Sequence, residues 1–293
     1  MKFSYSTGRS LGSALRPLHW IKSGFCLAPL MFEEATPTII DGVNLIPLLV
    51  GFSFLSSAGY LVNDIINVNE DRQHPRKKNR AIASGSVSRH QALSAAALLT
   101  SFCLLILGIS YGFGAVFLAA IGYLGVSLAY NLALRDIPFV DVSVISVGFI
   151  LRVGAGAWAL GYSPSSWLLA CTYFFCMMLG FGKRRGELAL LLGKAVASGN
   201  TRGSLRRYDA SLLDKVVGVM ALFALTCYVG LIASKEELWL QVSVLPVIVG
   251  IGEYLRWAWR SSQVETPERL LENSSVLFGS LTSWVVCLVI SHL

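Results

Sequence analysis

Residues 44–80 read NLIPLLVGFSFLSSAGYLVNDIINVNEDRQHPRKKNR. The stretch 44–62 carries no charged residue, and then the composition turns abruptly to amides, carboxylates and cations. A helix that crosses a bilayer needs about 20 mostly apolar residues. The run is too long for a barrel strand and lacks the alternation a barrel requires. Inside lipid only a helix then satisfies the backbone. The reading is a membrane span ending in a charged rim.

Eight further stretches read the same way, at roughly 18–32, 92–109, 113–131, 138–160, 164–182, 216–234, 238–256 and 275–291. The first is short and contains Pro29. The 293-residue chain is 54% hydrophobic and only 14% charged, with mean hydropathy +0.62. A soluble domain carries roughly 25% charge, so an ordinary cytosolic enzyme, a coiled coil and a disordered chain are excluded. The fold class predicted is all-α, a polytopic bundle of about nine transmembrane helices forming one domain over 1–293, with an interfacial helix within 1–16. The six cysteines all fall in apolar runs with no CxxC spacing, and read as buried small hydrophobes.

Charge placement supports the span count. With nine spans, 22 of the 24 Lys and Arg residues fall on one side, leaving Lys235 opposite and Arg152 inside a span. The positive-inside rule makes the basic side cytoplasmic. A multi-pass plasma-membrane protein is expected, with its N-terminus inside and its C-terminus outside. Function should concentrate on the charged face.

Three clusters there could carry chemistry. In Asn63–Arg80, continued helix would set Asp64, Asn67 and Asp71 at i, i+3 and i+7, on one face. Oxygen ligands at a membrane rim suit Mg²⁺, which binds a few carboxylates together with substrate phosphates. Arg72, Lys77 and Lys78 follow and could bind the same phosphates. The second cluster is Tyr130, Asn131, Arg135, Asp136 and Asp141. Arg152 lies eleven residues after Asp141, nearly on the same face and deeper in the bilayer, where an arginine needs a polar cavity or a partner. The third is Phe181-Gly182-Lys183-Arg184-Arg185-Gly186-Glu187-Leu188, whose glycines allow close approach to a phosphate. Lys183 and Glu187 are also spaced to pair along a helix. Gly154 and Gly156 read as sites of close helix packing. No catalytic triad, zinc motif or P-loop is legible.

These residues resemble the UbiA superfamily of intramembrane prenyltransferases, whose signature N-D-x-x-D-x-x-x-D follows the second of nine helices. Within it the chain is most similar to the decaprenyl-phosphate phosphoribosyltransferase branch, which includes nodulation-associated members. The resemblance rests on Arg16-Pro17 with Trp20-Ile21-Lys22, on Asn63–Gly85 with Asp71-Arg72-x-His74-Pro75, and on Tyr130 through Arg135 with Asp141. It continues through Gly148–Arg152, Phe181–Leu188 and Arg207-Tyr208. Departures are Asn67 for an aspartate, Arg135 for a lysine, Ala81 for a proline, and the lack of an Asp-Arg pair after Pro267.

The resemblance implies an integral-membrane, Mg²⁺-dependent enzyme that moves 5-phosphoribosyl from phosphoribosyl diphosphate to a polyprenyl phosphate. It implies a metal site of Asp64, Asn67 and Asp71, with Asp64, Asp71, Asp141 and Lys183 as catalytic residues. Substrate contacts are expected from Lys22, Asn63, Arg72, Lys77, Lys78, Tyr130, Arg135, Arg152, Lys183, Arg184 and Glu187. The partners are then the two substrates and the bilayer, with no nucleic acid; oligomeric state is left open. An aromatic prenyltransferase using an allylic diphosphate is the alternative. It typically needs two aspartate-rich motifs; here the first has lost an aspartate and the second lacks D-x-x-x-D. A transporter or non-catalytic membrane partner would show no Mg²⁺-dependent turnover.

Overall fold

The computed structural model describes residues 5–32, 38–73, 77–193, 205–233, 235–260 and 267–292. Every regular element among them is helical. We label the principal helices α1 (Tyr5–Ala14), α2 (Ile46–Ile66), α3 (Val68–Gln73), α4 (Arg89–Tyr111), α5 (Ala115–Leu132), α6 (Val140–Ala159), α7 (Ser166–Gly193), α8 (Ala210–Ala233), α9 (Val244–Arg260) and α10 (Ser275–Ile290).

Seven helical stretches among the described residues are long and apolar enough to cross a bilayer. They are α4 to α8, α2 with the preceding turn from Ile39, and α9 with the turn from Leu238. The other two expected spans differ. Helix α10 has 16 residues, about 24 Å of rise against a hydrocarbon core of about 30 Å. The 18–32 stretch is a 3₁₀ helix over Pro17–Leu27 followed by a short α-turn, Ala28–Phe32. Pro17 opens that 3₁₀ helix, and Arg16 before it adopts a left-handed backbone.

The chain forms two compact units interleaved in sequence, with α6 starting in one and ending in the other. The first comprises 1–30, 38–135 and 151–163. In it α2 packs most extensively on α4, around a core that includes Leu48, Phe52, Leu55, Cys103 and Leu107. Helix α4 begins at a capping box of Ser88 and Gln91 and stops at Gly112, whose φ of 68° suits glycine. Gly156 meets the Cys26 carbonyl so closely that an added Cβ would sit 2.1 Å from its oxygen. The glycine is there for packing, as its place in an apolar run suggested.

The second unit comprises 31–37, 136–150 and 164–293. Here α7 lies along α8 and α9 along α10, with Met178, Phe181, Leu213, Val217 and Tyr254 in the core. Both units expose apolar side chains such as Ile109, Leu118, Leu222 and Phe278. Large apolar side chains left exposed in this number are what lipid-facing helices carry. All six cysteines are unbridged, and only Cys171 is not fully buried.

Candidate active site

In the first unit, α2 delivers Asn63 and Asp64 in its last turn and ends at Asn67. Asn67 has φ −92° and ψ 10°, off the helical geometry. The backbone bonds nevertheless carry across the junction, from Asn67 N–H to the Asn63 carbonyl (3.0 Å) and from Asp71 N–H to the Asn67 carbonyl (2.8 Å). Asp64 and Asp71 are each 3% exposed. The Arg80 guanidinium donates through one nitrogen, Nη1, to Asp64 Oδ1 at 3.0 Å and to Asp71 Oδ2 at 2.7 Å. Those two oxygens therefore lie within about 6 Å, whereas seven residues of straight helix rise about 10 Å. The bend at Asn67 accounts for part of that approach.

Arg80 is held by its backbone. Its N–H bonds the Lys77 carbonyl (2.9 Å), and its own carbonyl accepts from Ser84 (2.8 Å). Ile82 and Val87 anchor the loop in a core with Leu61 and Val68, and Gly85 turns it with φ +82°. Arg72, exposed, donates Nε to the Ala83 carbonyl at 3.1 Å.

A second guanidinium meets the same carboxylate. Arg16 Nη2 donates to Asp64 Oδ1 at 2.6 Å and lies 4.6 Å from the centre of the Tyr60 ring. Its left-handed φ of 52° is a conformation non-glycine residues rarely adopt. Neighbours hold it there: Ser57 Oγ donates to the Leu15 carbonyl (2.8 Å) and accepts from Trp20 Nε1 (2.9 Å). Asn63 donates to Asn131 Oδ1 at 2.5 Å. Arg135 donates to Asn67 Oδ1 and, at 3.0 Å, to both carboxylate oxygens of Glu70. Deeper in the unit, buried Arg152 donates to Ser56 Oγ (2.7 Å) and Tyr123 Oη (2.8 Å), its guanidinium 4.4 Å from the Tyr123 ring centre. Ser56, Tyr60, Asn63, Asp64 and Asn67 thus make a polar seam along α2.

Lys22, Lys77 and Tyr130 are half-buried in this unit, and Lys78 is exposed. His74, part of the motif read from the sequence, lies outside the described residues. So do Lys194 and Arg202 of the basic stretch before α8.

The donor set has the chemistry of a magnesium site. Two buried carboxylates and neighbouring amides are hard oxygen ligands, and Mg²⁺ usually takes one or two carboxylates with the rest of its shell from water and phosphate. Asp64 Oδ2 and Asp71 Oδ1 accept no hydrogen bond from any described residue. Asn67, expected as the third ligand, has its Oδ1 engaged by Arg135. No group of three His, Cys, Asp or Glu gathers among the described residues. The fit is therefore to a metal that arrives with much of its own oxygen shell.

The second unit holds a different acid–base cluster. Asp141, at the first turn of α6, is fully buried. Its Oδ2 accepts from Arg184 Nε and its Oδ1 from Tyr208 Oη, each at 2.8 Å. Arg184, 3% exposed, also donates Nη1 to Glu187 Oε2 at 2.8 Å. Tyr208 accepts the Phe139 N–H at 2.6 Å, and its ring packs edge-on against Phe139 and Phe181. Burial pushes its phenol well above the ordinary range; the Phe139 N–H pulls against that and the Asp141 carboxylate adds to it. Tyr208 is thus a protonated donor at neutral pH. Arg185 pairs with Asp214 at 2.8 Å, and Lys183 is exposed.

Sequence reasoning named Asp64, Asp71 and Arg135, and the structure joins the two aspartates through one arginine. It missed the roles of Arg80, Arg16, Tyr208, Ser56 and Tyr123. Arg80 stood in the basic run but in no helical register with the carboxylates. Arg16 is 48 residues from Asp64, beyond any local pattern.

Residues 27–282 match the UbiA prenyltransferase family. The chain is 31% identical to the decaprenyl-phosphate phosphoribosyltransferase of Corynebacterium glutamicum, over 95% of this chain and 85% of that one. It is 27% identical to the nodulation protein NoeC of Azorhizobium caulinodans, over 61% and 57%. Its fold is similar to that of a UbiA homologue from Archaeoglobus fulgidus solved with GPP and Mg²⁺, with TM-score 0.72, 14% identity and coverage of 96% and 98%.

Proposed function

Because the chain belongs to the UbiA prenyltransferase family, we propose that it is a membrane phosphoribosyltransferase. It would transfer 5-phosphoribosyl from phosphoribosyl diphosphate to a polyprenyl phosphate. A phosphate oxygen of the lipid forms the new bond to ribose C1, and the C1–O bond to diphosphate breaks. The named relative from Corynebacterium glutamicum supports this substrate pair. The match over residues 27–282 also supports reading the chain as one domain.

The observation that carries the reading is the pair of buried carboxylates, Asp64 and Asp71, bonded by Arg16 and Arg80, with Arg135 on the neighbouring Asn67. Mg²⁺ held there by Asp64 and Asp71 would neutralise charge on the departing diphosphate. Cations fixed beforehand around the leaving group stabilise the same charge without reorganising during the reaction. Arg72, Lys77, Lys78 and Lys22 we assign to phosphates of the two substrates, Lys183 likewise, and Asn63 and Tyr130 to polar contacts with the sugar diphosphate. Arg135 orients Asn67. Arg152, inside the first unit, we assign to an anionic group of a substrate. Arg184 bonds both Asp141 and Glu187, and Asp141 also accepts from Tyr208. We assign this group to holding the second unit together, not to contact with ribose.

Orientation follows the charge asymmetry: an inner-membrane protein with the active-site loops and N-terminus cytoplasmic and the C-terminus outside. The lipid product is of the class that supplies pentose donors such as arabinose. The likeness to NoeC supports a nodulation setting, over a smaller share of the chain.

The test is transfer by purified protein in nanodiscs given labelled phosphoribosyl diphosphate, polyprenyl phosphate and Mg²⁺. Labelled, organic-extractable lipid that requires both the acceptor and Mg²⁺ is expected. No such product, alongside product from an allylic diphosphate and an aromatic acceptor, would replace this reading with ordinary prenyl transfer. No product in either assay would favour a non-catalytic role.

A further inference from the structure

Asp64 and Asp71 are nearly sealed from solvent, and buried carboxylates cannot stay ionised without a countercharge. Arg80 supplies it, with a single nitrogen between the two carboxylates. A shared cation would sit against the same pair. Among the described residues Arg80 is also the only hydrogen-bonding side chain on Asp71, whereas Asp64 keeps Arg16 as well.

The Arg80 side chain is 28% exposed, so its head has an open route away from the aspartates. Its backbone is pinned by Lys77, Ser84 and the buried Ile82 and Val87. Side-chain rotation alone can therefore take the guanidinium off the carboxylates without unfolding the loop.

We infer that Arg80 is an exchangeable counter-ion, which neutralises Asp64 and Asp71 until a magnesium–diphosphate complex arrives and then moves onto the diphosphate. This rests on the reading that the two aspartates hold the metal. Two carboxylates and two guanidiniums make a cluster with no net charge. A bare divalent cation entering it meets repulsion from Arg80 and offers that arginine no new partner. A metal that brings diphosphate offers both: anionic charge, and oxygens for the displaced guanidinium. The device couples metal loading to donor loading, and keeps a free metal ion from settling on the carboxylates.

Protein-bound Mn²⁺, standing in for Mg²⁺, can be counted by equilibrium dialysis of the nanodisc-embedded chain with and without pyrophosphate. In the unmodified protein pyrophosphate should tighten Mn²⁺ binding about tenfold or more, a usual size for coupled sites. In Arg80→Gln, Mn²⁺ alone should bind about tenfold tighter than in the unmodified protein, and the gain from pyrophosphate should shrink. Thermal unfolding of Arg80→Gln should begin lower without metal and recover with Mn²⁺. Arg89→Gln removes the same charge from an exposed position and should bind like the unmodified protein.

Mn²⁺ binding alone that is no tighter in Arg80→Gln would overturn the exchange. If that variant does not fold, Arg80→Met takes its place. It keeps the aliphatic stem and also removes the positive charge, so the same direction of change is expected, and no change overturns the proposal. Asp71→Asn separates this from the reading beneath it. If Asp71→Asn still binds Mn²⁺ with pyrophosphate as the unmodified protein does, the metal assignment itself fails. If it loses that binding while Arg80→Gln shows no tightening, only the exchange fails.

Discussion

Asp71 and Asp141 are both buried aspartates bonded to an arginine, one in each unit, and they are built in opposite ways. Asp71 has one oxygen on Arg80 and the other without a hydrogen bond from any described residue, and its arginine is partly open to solvent. Asp141 has both oxygens committed, to Arg184 and Tyr208, and Arg184 is itself sealed and tied to Glu187. A carboxylate with spare coordination and a removable partner can take up a ligand. One with both oxygens engaged by buried partners is suited to holding its neighbours in place. Residue type alone does not distinguish a site from a strut; the accounting of oxygens and exits does.

The contrast predicts opposite phenotypes. The largest effect is on stability. Asp141→Asn leaves the Arg184 charge buried with its main partner neutralised, and should lower unfolding free energy by about 3–5 kcal/mol. Adding Arg184→Met to it should restore much of the loss, as followed by thermal unfolding in nanodiscs. Asp71→Asn should instead lower turnover about 10²–10³-fold, the scale of removing one group that stabilises transition-state charge, with a smaller change in unfolding temperature. If Asp71→Asn were the more unstable of the two, the contrast would be wrong.

Smaller effects sharpen it. Tyr208→Phe removes a donor from the buried Asp141 carboxylate and should cost about 1–3 kcal/mol. The phenol's pKa is raised in the folded chain, so its contribution is fully present below the unfolded tyrosine value of about 10. It is lost only as pH climbs above that value toward the folded one. The stability gap between Tyr208→Phe and the unmodified protein should accordingly be flat from neutral pH to about 9. Smallest is Glu70→Ala. Glu70 is 64% exposed in its pair with Arg135, and the loss should be no more than about 1 kcal/mol, weakening further with salt.

The spans were legible because apolar length is a local property. Expected stretches at 92–109, 113–131 and 138–160 became Arg89–Tyr111, Ala115–Leu132 and Val140–Ala159. The span read at 164–182 lies within a longer helix, α7, which runs on through the charged run to Gly193. Lys, Arg and Glu are good helix formers once outside lipid, and the Arg184–Glu187 pair at i, i+3 supports the turn. The stretch near 18–32 misled in the other direction. Hydropathy reports burial in lipid, not which helix the backbone makes, and Pro17 with left-handed Arg16 begins a 3₁₀ helix there.

Of the candidate site, the carboxylates could be read from spacing and their partners could not. Asp64 and Asp71 shared a face by arithmetic, but Arg16 and Arg80 reach them through tertiary folding. Asp141 and Arg152 also shared a face by spacing. Each bonds within a different unit: Asp141 to Arg184 and Tyr208, Arg152 to Ser56 and Tyr123. Helical periodicity names a face and stays silent on what packs against it.

The most direct test compares Asp71→Asn with Asp141→Asn in transfer from phosphoribosyl diphosphate to polyprenyl phosphate, at a temperature where circular dichroism shows both fully folded. Asp71→Asn should be folded and nearly inert, and Asp141→Asn should transfer at a rate far above it. A folded Asp141→Asn without transfer, beside an Asp71→Asn that turns over normally, would contradict the assignment of the metal–diphosphate site to Asp64 and Asp71.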